Sequence, residues 1–140
     1  MGTCIPVQKY SLEMVVSVNK PTFFCCTIPG IEDKAISINI ELSKKLLDCV
    51  PKKRTMKIEP IFNQILDELP DYTIIKDFDV LFNPNYKIDV LRIMTASGKK
   101  KPFGVIWPGN YDNEKLIYAD NSYVDYKVYD INQYDILCVI

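Results

Sequence analysis

The chain has 140 residues, 48% apolar and 25% charged, the proportions of one soluble globular domain with a sizeable core. Its 17 Lys and Arg balance 18 Asp and Glu, which excludes a strong global field toward nucleic acid or membrane but leaves room for a local patch. Histidine is absent, so a histidine base, metal ligand or pH switch is excluded within the chain.

The opening "MGTCIPVQKY" lacks the apolar core of a signal peptide, and no apolar run approaches a membrane span. The five cysteines, Cys4, Cys25, Cys26, Cys49 and Cys138, form no C-x-x-C pair, which argues against zinc-ribbon and thioredoxin-like sites. Their odd number without framework spacing suits a reducing compartment, so the expected location is the cytoplasm.

"SLEMVVSV", Ser11 to Val18, is expected to be a short helix stopped by Lys20-Pro21. "TFFCCT" after it is apolar on both faces and reads as a strand buried within a parallel sheet. "AISINI", Ala35 to Ile40, alternates and reads as a second strand, joined to the first by a tight Pro29-Gly30 turn. "ELSKKLLDCV" is a short helix with Leu42, Leu46 and Leu47 on one side. Next, Ile58, Phe62, Ile65, Leu66 and Leu69 recur at helical spacing, with Pro60 expected early in that helix. A third strand is expected around Thr73 to Phe78. A helix from about Tyr86 to Ala96, closed by Gly98, comes after it. Pro102 to Trp107 reads as a fourth strand, a tyrosine-rich excursion with one small hairpin comes next, and "YDILCVI" is the last strand. This alternation predicts a single α/β domain over residues 1–140, with a mostly parallel sheet of about five strands flanked by helices.

Four features bear on chemistry. The stretch "TIPGIEDKA" has one glycine, Gly30, and one lysine, Lys34, where a phosphate loop would need G-x-x-x-x-G-K-[ST]. Successive N–H groups cannot wrap a phosphate there, and Ala35 replaces the hydroxyl that would hold magnesium. Asp77 and Asp79 fall at or just past the end of a buried strand, where paired carboxylates can hold magnesium or are simply a polar strand end leading into the "NPN" turn. Lys52, Lys53, Arg54 and Lys57, with Lys99, Lys100 and Lys101, are candidates for gripping nucleic acid or are solvated loops. Trp107, Tyr111, Tyr118, Tyr123, Tyr126, Tyr129 and Tyr134 either form a partner surface or pack the excursion against the sheet.

Three segments carry a resemblance, in order, from about Ile36 to the C-terminus: "ISINIELSKKLLD", "FDVLFNPNYKIDVLRIM" and "VIWPGNYDNEKLIYADNSYVDYKVYD". Together they resemble BrxF, the small P-loop-containing family of the third type of bacteriophage-exclusion (BREX) defence system. The resemblance implies a P-loop NTPase-like three-layer α/β domain that works with other BREX-system proteins. The family's full phosphate loop is missing here, its helix with it. In the "KDFD" stretch Lys76 occupies the family's first acidic position and Asp79 the second; sliding by one residue would place Asp77 first. Gly30, Lys34, Asp77 and Asp79 therefore mark a degenerate nucleotide site. The expected protein is a non-catalytic, partner-binding component without a cofactor, with a homo-oligomer open and no membrane contact. A magnesium-dependent enzyme using Asp77 and Asp79, or a nucleic-acid-binding accessory protein, are the alternatives.

Overall fold

The structure, a computed structural model, describes residues 2–10 and 20–140. The helix expected over Ser11 to Val18 lies outside the described residues.

Six parallel strands form the central sheet: β1 (Thr3–Ile5), β2 (Thr22–Phe24), β3 (Ile36–Ser37), β4 (Ile74–Lys76), β5 (Gly104–Ile106) and β9 (Leu137–Val139), in the order β1-β9-β2-β5-β4-β3. β2 is buried along its whole length, as its two-faced apolar character requires. The helices flanking the sheet are α1 (Ile31–Lys34), α2 (Asn39–Leu47), α3 (Arg54–Asp67) and α4 (Val90–Lys100). Ile58, Ile61, Phe62, Ile65 and Leu66 make the buried face of α3. Burying such a side chain contributes about 1.5–3 kcal/mol each, so this face anchors the α3 layer. Ser97 of α4 donates to Asn63 Oδ1 of α3 at 2.6 Å, and Phe62 meets Phe103 edge-on at 5.8 Å.

The α/β expectation holds, with six strands rather than about five: residues 3–5 add β1 at an edge, in register with β9. Five local expectations need correction. β2 and β3 are not neighbours joined by a tight turn; β5 and β4 lie between them, and one helical turn, α1, sits in the connection. The strand expected over Ala35 to Ile40 is two exposed residues, because Ile38 turns inward and α2 starts at Asn39. Leu47 does not join Leu42 and Leu46 inside but is 69% exposed, since the packed face of α2 is narrow. Pro60 lies mid-way along α3, on an exposed position where its missing N–H costs one ladder bond. Gly98 does not close α4; the helix runs through it, and a Cβ there would stand 2.5 Å from Pro21 Cδ. Close backbone approach, not a left-handed cap, requires that glycine.

The excursion is larger than one hairpin. β6 (Asn110–Asp112), β7 (Lys115–Tyr118) and β8 (Lys127–Asp130) form a three-stranded antiparallel sheet with β7 central. Asp89, the N-cap of α4, accepts from Arg92 N–H at 3.1 Å and from the Tyr134 hydroxyl at 2.6 Å, tying the chain beyond β8 back to the α/β body. All five cysteines are free thiols. No helix among the described residues is long and apolar enough to cross a membrane.

Candidate functional site

In open α/β sheets ligands sit outside the carboxyl ends of the strands, where neighbouring strands send their connections in opposite directions. Here that place lies between β2, whose chain continues toward β3, and β5, whose chain continues toward β9. Trp107, the first residue beyond β5, occupies it. Its backbone N–H extends the ladder to Phe24 O at 3.1 Å. Its ring packs against Phe23 at 6.0 Å, edge-on to Phe82 at 5.8 Å and edge-on to Tyr129 at 6.1 Å. The indole N–H donates to the carbonyls of Asn110 and Ile117, both at 3.2 Å, so it is satisfied by the antiparallel sheet. Tyr118 stacks on Phe82 with centroids 3.8 Å apart and planes 9° apart. One aromatic cluster thus welds the small sheet to the carboxyl edge of the large one.

The tyrosine-rich candidates therefore divide. Trp107, Tyr118 and Tyr129 are core residues, and Tyr111 is half-buried with its hydroxyl 3.2 Å from Cys4 Sγ. Burial and that hydrogen bond, the bond foremost, push the Tyr111 phenol up to about 12. Tyr123 and Tyr126 face solvent on the 119–126 loop, next to Val124 and Val128. Pro108, Gly109, Asn110, Asp120, Asn121 and Tyr126 are among the residues lining an open cleft of about 470 Å³ there.

The four residues expected to mark a degenerate nucleotide site do not converge. Gly30 is left-handed at φ 87° and caps α1, a helix of only four residues; Lys34 ends that helix, exposed. Because β3 runs parallel to β4, with Ile36 beside Ile75, Lys34 stands at the amino edge while Asp77 stands past the carboxyl edge. Asp77 and Asp79 are not strand residues: β4 stops at Lys76, Asp77 is left-handed at φ 54°, and Asp79 opens a 3-10 turn through Phe82.

Asp79 has company that the sequence did not announce. Burial foremost, then the nearby carboxylates of Asp77 and Asp125, hold its carboxyl above the usual range. Tyr118 is pushed up to about 12 by burial and then by Asp79 and Asp125. Asp125 arrives from the loop after β7, and the acids of "ADNSYVDY" were the one signal that could have pointed to it. Among the described residues no group of three or more His, Cys, Asp or Glu is arranged to hold a metal ion. None of Asp77, Asp79, Asp120 or Asp125 is in an ion pair among the described residues.

A raised folded-state value means the fold favours neutral Asp79; that contribution is complete below the unfolded value, 3.8, and is lost as pH rises through the folded one. Asp79→Asn is expected to raise the urea midpoint at pH 7, with the gain vanishing near pH 3. A midpoint that drops equally at both pH values would show instead a lost structural role for the carboxylate.

The basic candidates lie at two ends of α3. Lys52 and Lys53 occupy a 3-10 turn before it, and Lys101 reaches its far end, donating to the carbonyls of Leu66 and Leu69. Fourteen residues of helix separate them by about 20 Å. Arg54 is likewise engaged, its Nε donating to the Leu46 carbonyl at 2.9 Å and so closing α2. Lys57, Lys99 and Lys100 are exposed.

Comparison of the chain with protein-family models, with curated proteins and with solved structures finds no significant match.

Proposed function

We propose that the chain is a non-catalytic, BrxF-like component of a bacterial phage-defence system that acts in the cytoplasm by binding protein partners. One observation carries the reading: the carboxyl end of β5 beside β2, where a phosphate would be held, is filled by Trp107 and its aromatic neighbours. The connection after β2 holds a helix of only four residues, too short to aim a row of N–H groups or a dipole at an anion. Asp77 and Asp79, just past the carboxyl end of the neighbouring β4, add negative charge that would repel a nucleotide. The parallel sheet persists where the chemistry is lost, as expected of a degenerate P-loop NTPase-like domain that keeps its scaffold for contacts.

The purified chain is expected to hydrolyse no ATP with magnesium present, and tagged chain is expected to co-purify with other proteins of the defence system at fixed stoichiometry. ATP hydrolysis abolished by Lys34→Ala would overturn the reading. A magnesium-dependent enzyme using Asp77 and Asp79 is the second reading, although among the described residues no group of three such side chains is arranged to hold a metal ion. It requires millimolar magnesium or manganese binding by calorimetry, lost in Asp79→Ala.

A further inference from the structure

Two exposed apolar patches are left over by the fold, and their charges are opposite. The first is the outward side of α2 and the turn after it. Ile40 and Leu47 are seven residues apart, on one helix face, opposite buried Leu42 and Leu46, with Lys44 between them. Ile40, Leu47 and Val50 are 71%, 69% and 53% exposed. Lys52 and Lys53 come directly after, exposed, in the 3-10 turn. Residues 40–57 hold six Lys and Arg against two acids, Glu41 and Asp48, and Lys45 pairs with Glu41 at 3.6 Å.

The second patch is the tip of the antiparallel sheet. Tyr123, Val124, Tyr126 and Val128 are 65%, 88%, 36% and 42% exposed. Asp120 and Asp125 lie within this loop, and Tyr118 at its start stacks on Phe82, whose 3-10 turn after β4 is opened by Asp79. Residues 119–128 hold two acids, Asp120 and Asp125, and one exposed base, Lys127. Large apolar side chains at such exposure, rimmed by charge, mark interaction sites.

We infer that the two patches dock on each other between copies of the chain, the basic apolar face of α2 and its following turn receiving the acidic apolar 119–126 tip of a second copy. The charge separation argues for this occupant. With 17 basic and 18 acidic residues the chain as a whole neither attracts nor repels itself, yet each patch faces an excess of one sign that the other would neutralise. Carboxylates in no ion pair among the described residues on one side and exposed lysines on the other give up little by meeting, and the tyrosines and valines then leave water together. Two complementary patches on each copy can pair reciprocally in a closed dimer, residue i on j and j on i, or one at a time in head-to-tail rings and chains.

The test needs only the purified chain, so it stands apart from whether other proteins are bound. Light scattering at high micromolar concentration and low salt is expected to give an average mass at least twice 16.2 kDa, falling to the monomer as salt is raised. Lys44→Glu/Lys52→Glu/Lys53→Glu makes both faces acidic; Asp120→Lys/Asp125→Lys makes both basic. Each variant alone is expected to be monomeric with an unchanged circular dichroism spectrum, and an equimolar mixture of the two is expected to associate again. Should a charge variant fail to fold, Leu47→Ser and Val124→Ser, at two exposed positions, are each expected to weaken association at least tenfold. A monomeric wild type, variants that still associate alone, a mixture that stays monomeric, or serine variants of wild-type affinity would each overturn the inference.

Discussion

Trp107→Ala is expected to lower the free energy of unfolding by about 4 kcal/mol, the upper part of the range for emptying a buried aromatic site. The indole is 5% exposed and touches the aromatic rings of both sheets: Phe23 on β2, Phe82 beyond β4 and Tyr129 on β8. Removing it opens a cavity that the surrounding rings cannot fill without leaving their own geometry. It also leaves the carbonyls of Asn110 and Ile117 without the indole donor. Urea unfolding followed by far-ultraviolet circular dichroism measures the loss. Trp107→Phe restores most of the volume and not the donor, and is expected to recover more than half of it. A loss under about 1 kcal/mol for the alanine variant would mean that the antiparallel sheet holds its place by other contacts.

Gly109→Ala is expected to cost about 3 kcal/mol, at the top of the usual range for overpacking. A Cβ at this position would overlap the Ile117 carbonyl oxygen, across the β6–β7 pair where Asn110 faces Ile117. The obstacle is backbone, so no change of rotamer relieves it; the two strands must separate or shift register. The same carbonyl accepts from Trp107, so the two variants share a partner and their costs should not add. Denaturant midpoints of both single variants and the double variant measure this directly. An alanine variant as stable as wild type would show that β6 can move away from β7 without consequence.

The two substitutions act at one junction because the fold concentrates its unusual features there. Much of the remainder was readable in advance. The apolar "TFFCCT" reads as a central strand, and its first half, Thr22–Phe24, forms one while Cys25 and Cys26 lie beyond it; the 3.6-residue recurrence of Ile58, Phe62, Ile65 and Leu66 reads as a packed helix, which it is. The absence of a phosphate loop between Thr27 and Lys34 was equally plain, since one glycine cannot make a nest. Less legible were short elements whose periodicity has no room to declare itself. Ile36–Ser37 is two residues long, and Gly98 looks like a helix terminator until Pro21 is seen against it.

The candidate site divides in the same way. Asp77 and Asp79 could be singled out as a pair near a strand end, and Trp107 with the tyrosines as an unusual concentration of rings. Which rings face inward depends on Phe82 and Phe23, remote in sequence, and no local pattern encodes that choice. The arrival of Asp125 beside Asp79 depends on the return of β7 over the end of β4, a closure across more than forty residues.

Composition, hydrophobic period and missing residue types thus determined the α/β class, the central strand, the helical faces and the absence of histidine and of a phosphate-loop motif. These are properties of one residue or of a window within one element. Tertiary structure alone decided the strand order, the distance of Lys34 from Asp77, the burial of Trp107, and the opposite charges of the two exposed patches. Those are relations between elements distant along the chain, and they are set by which surfaces bury each other most completely.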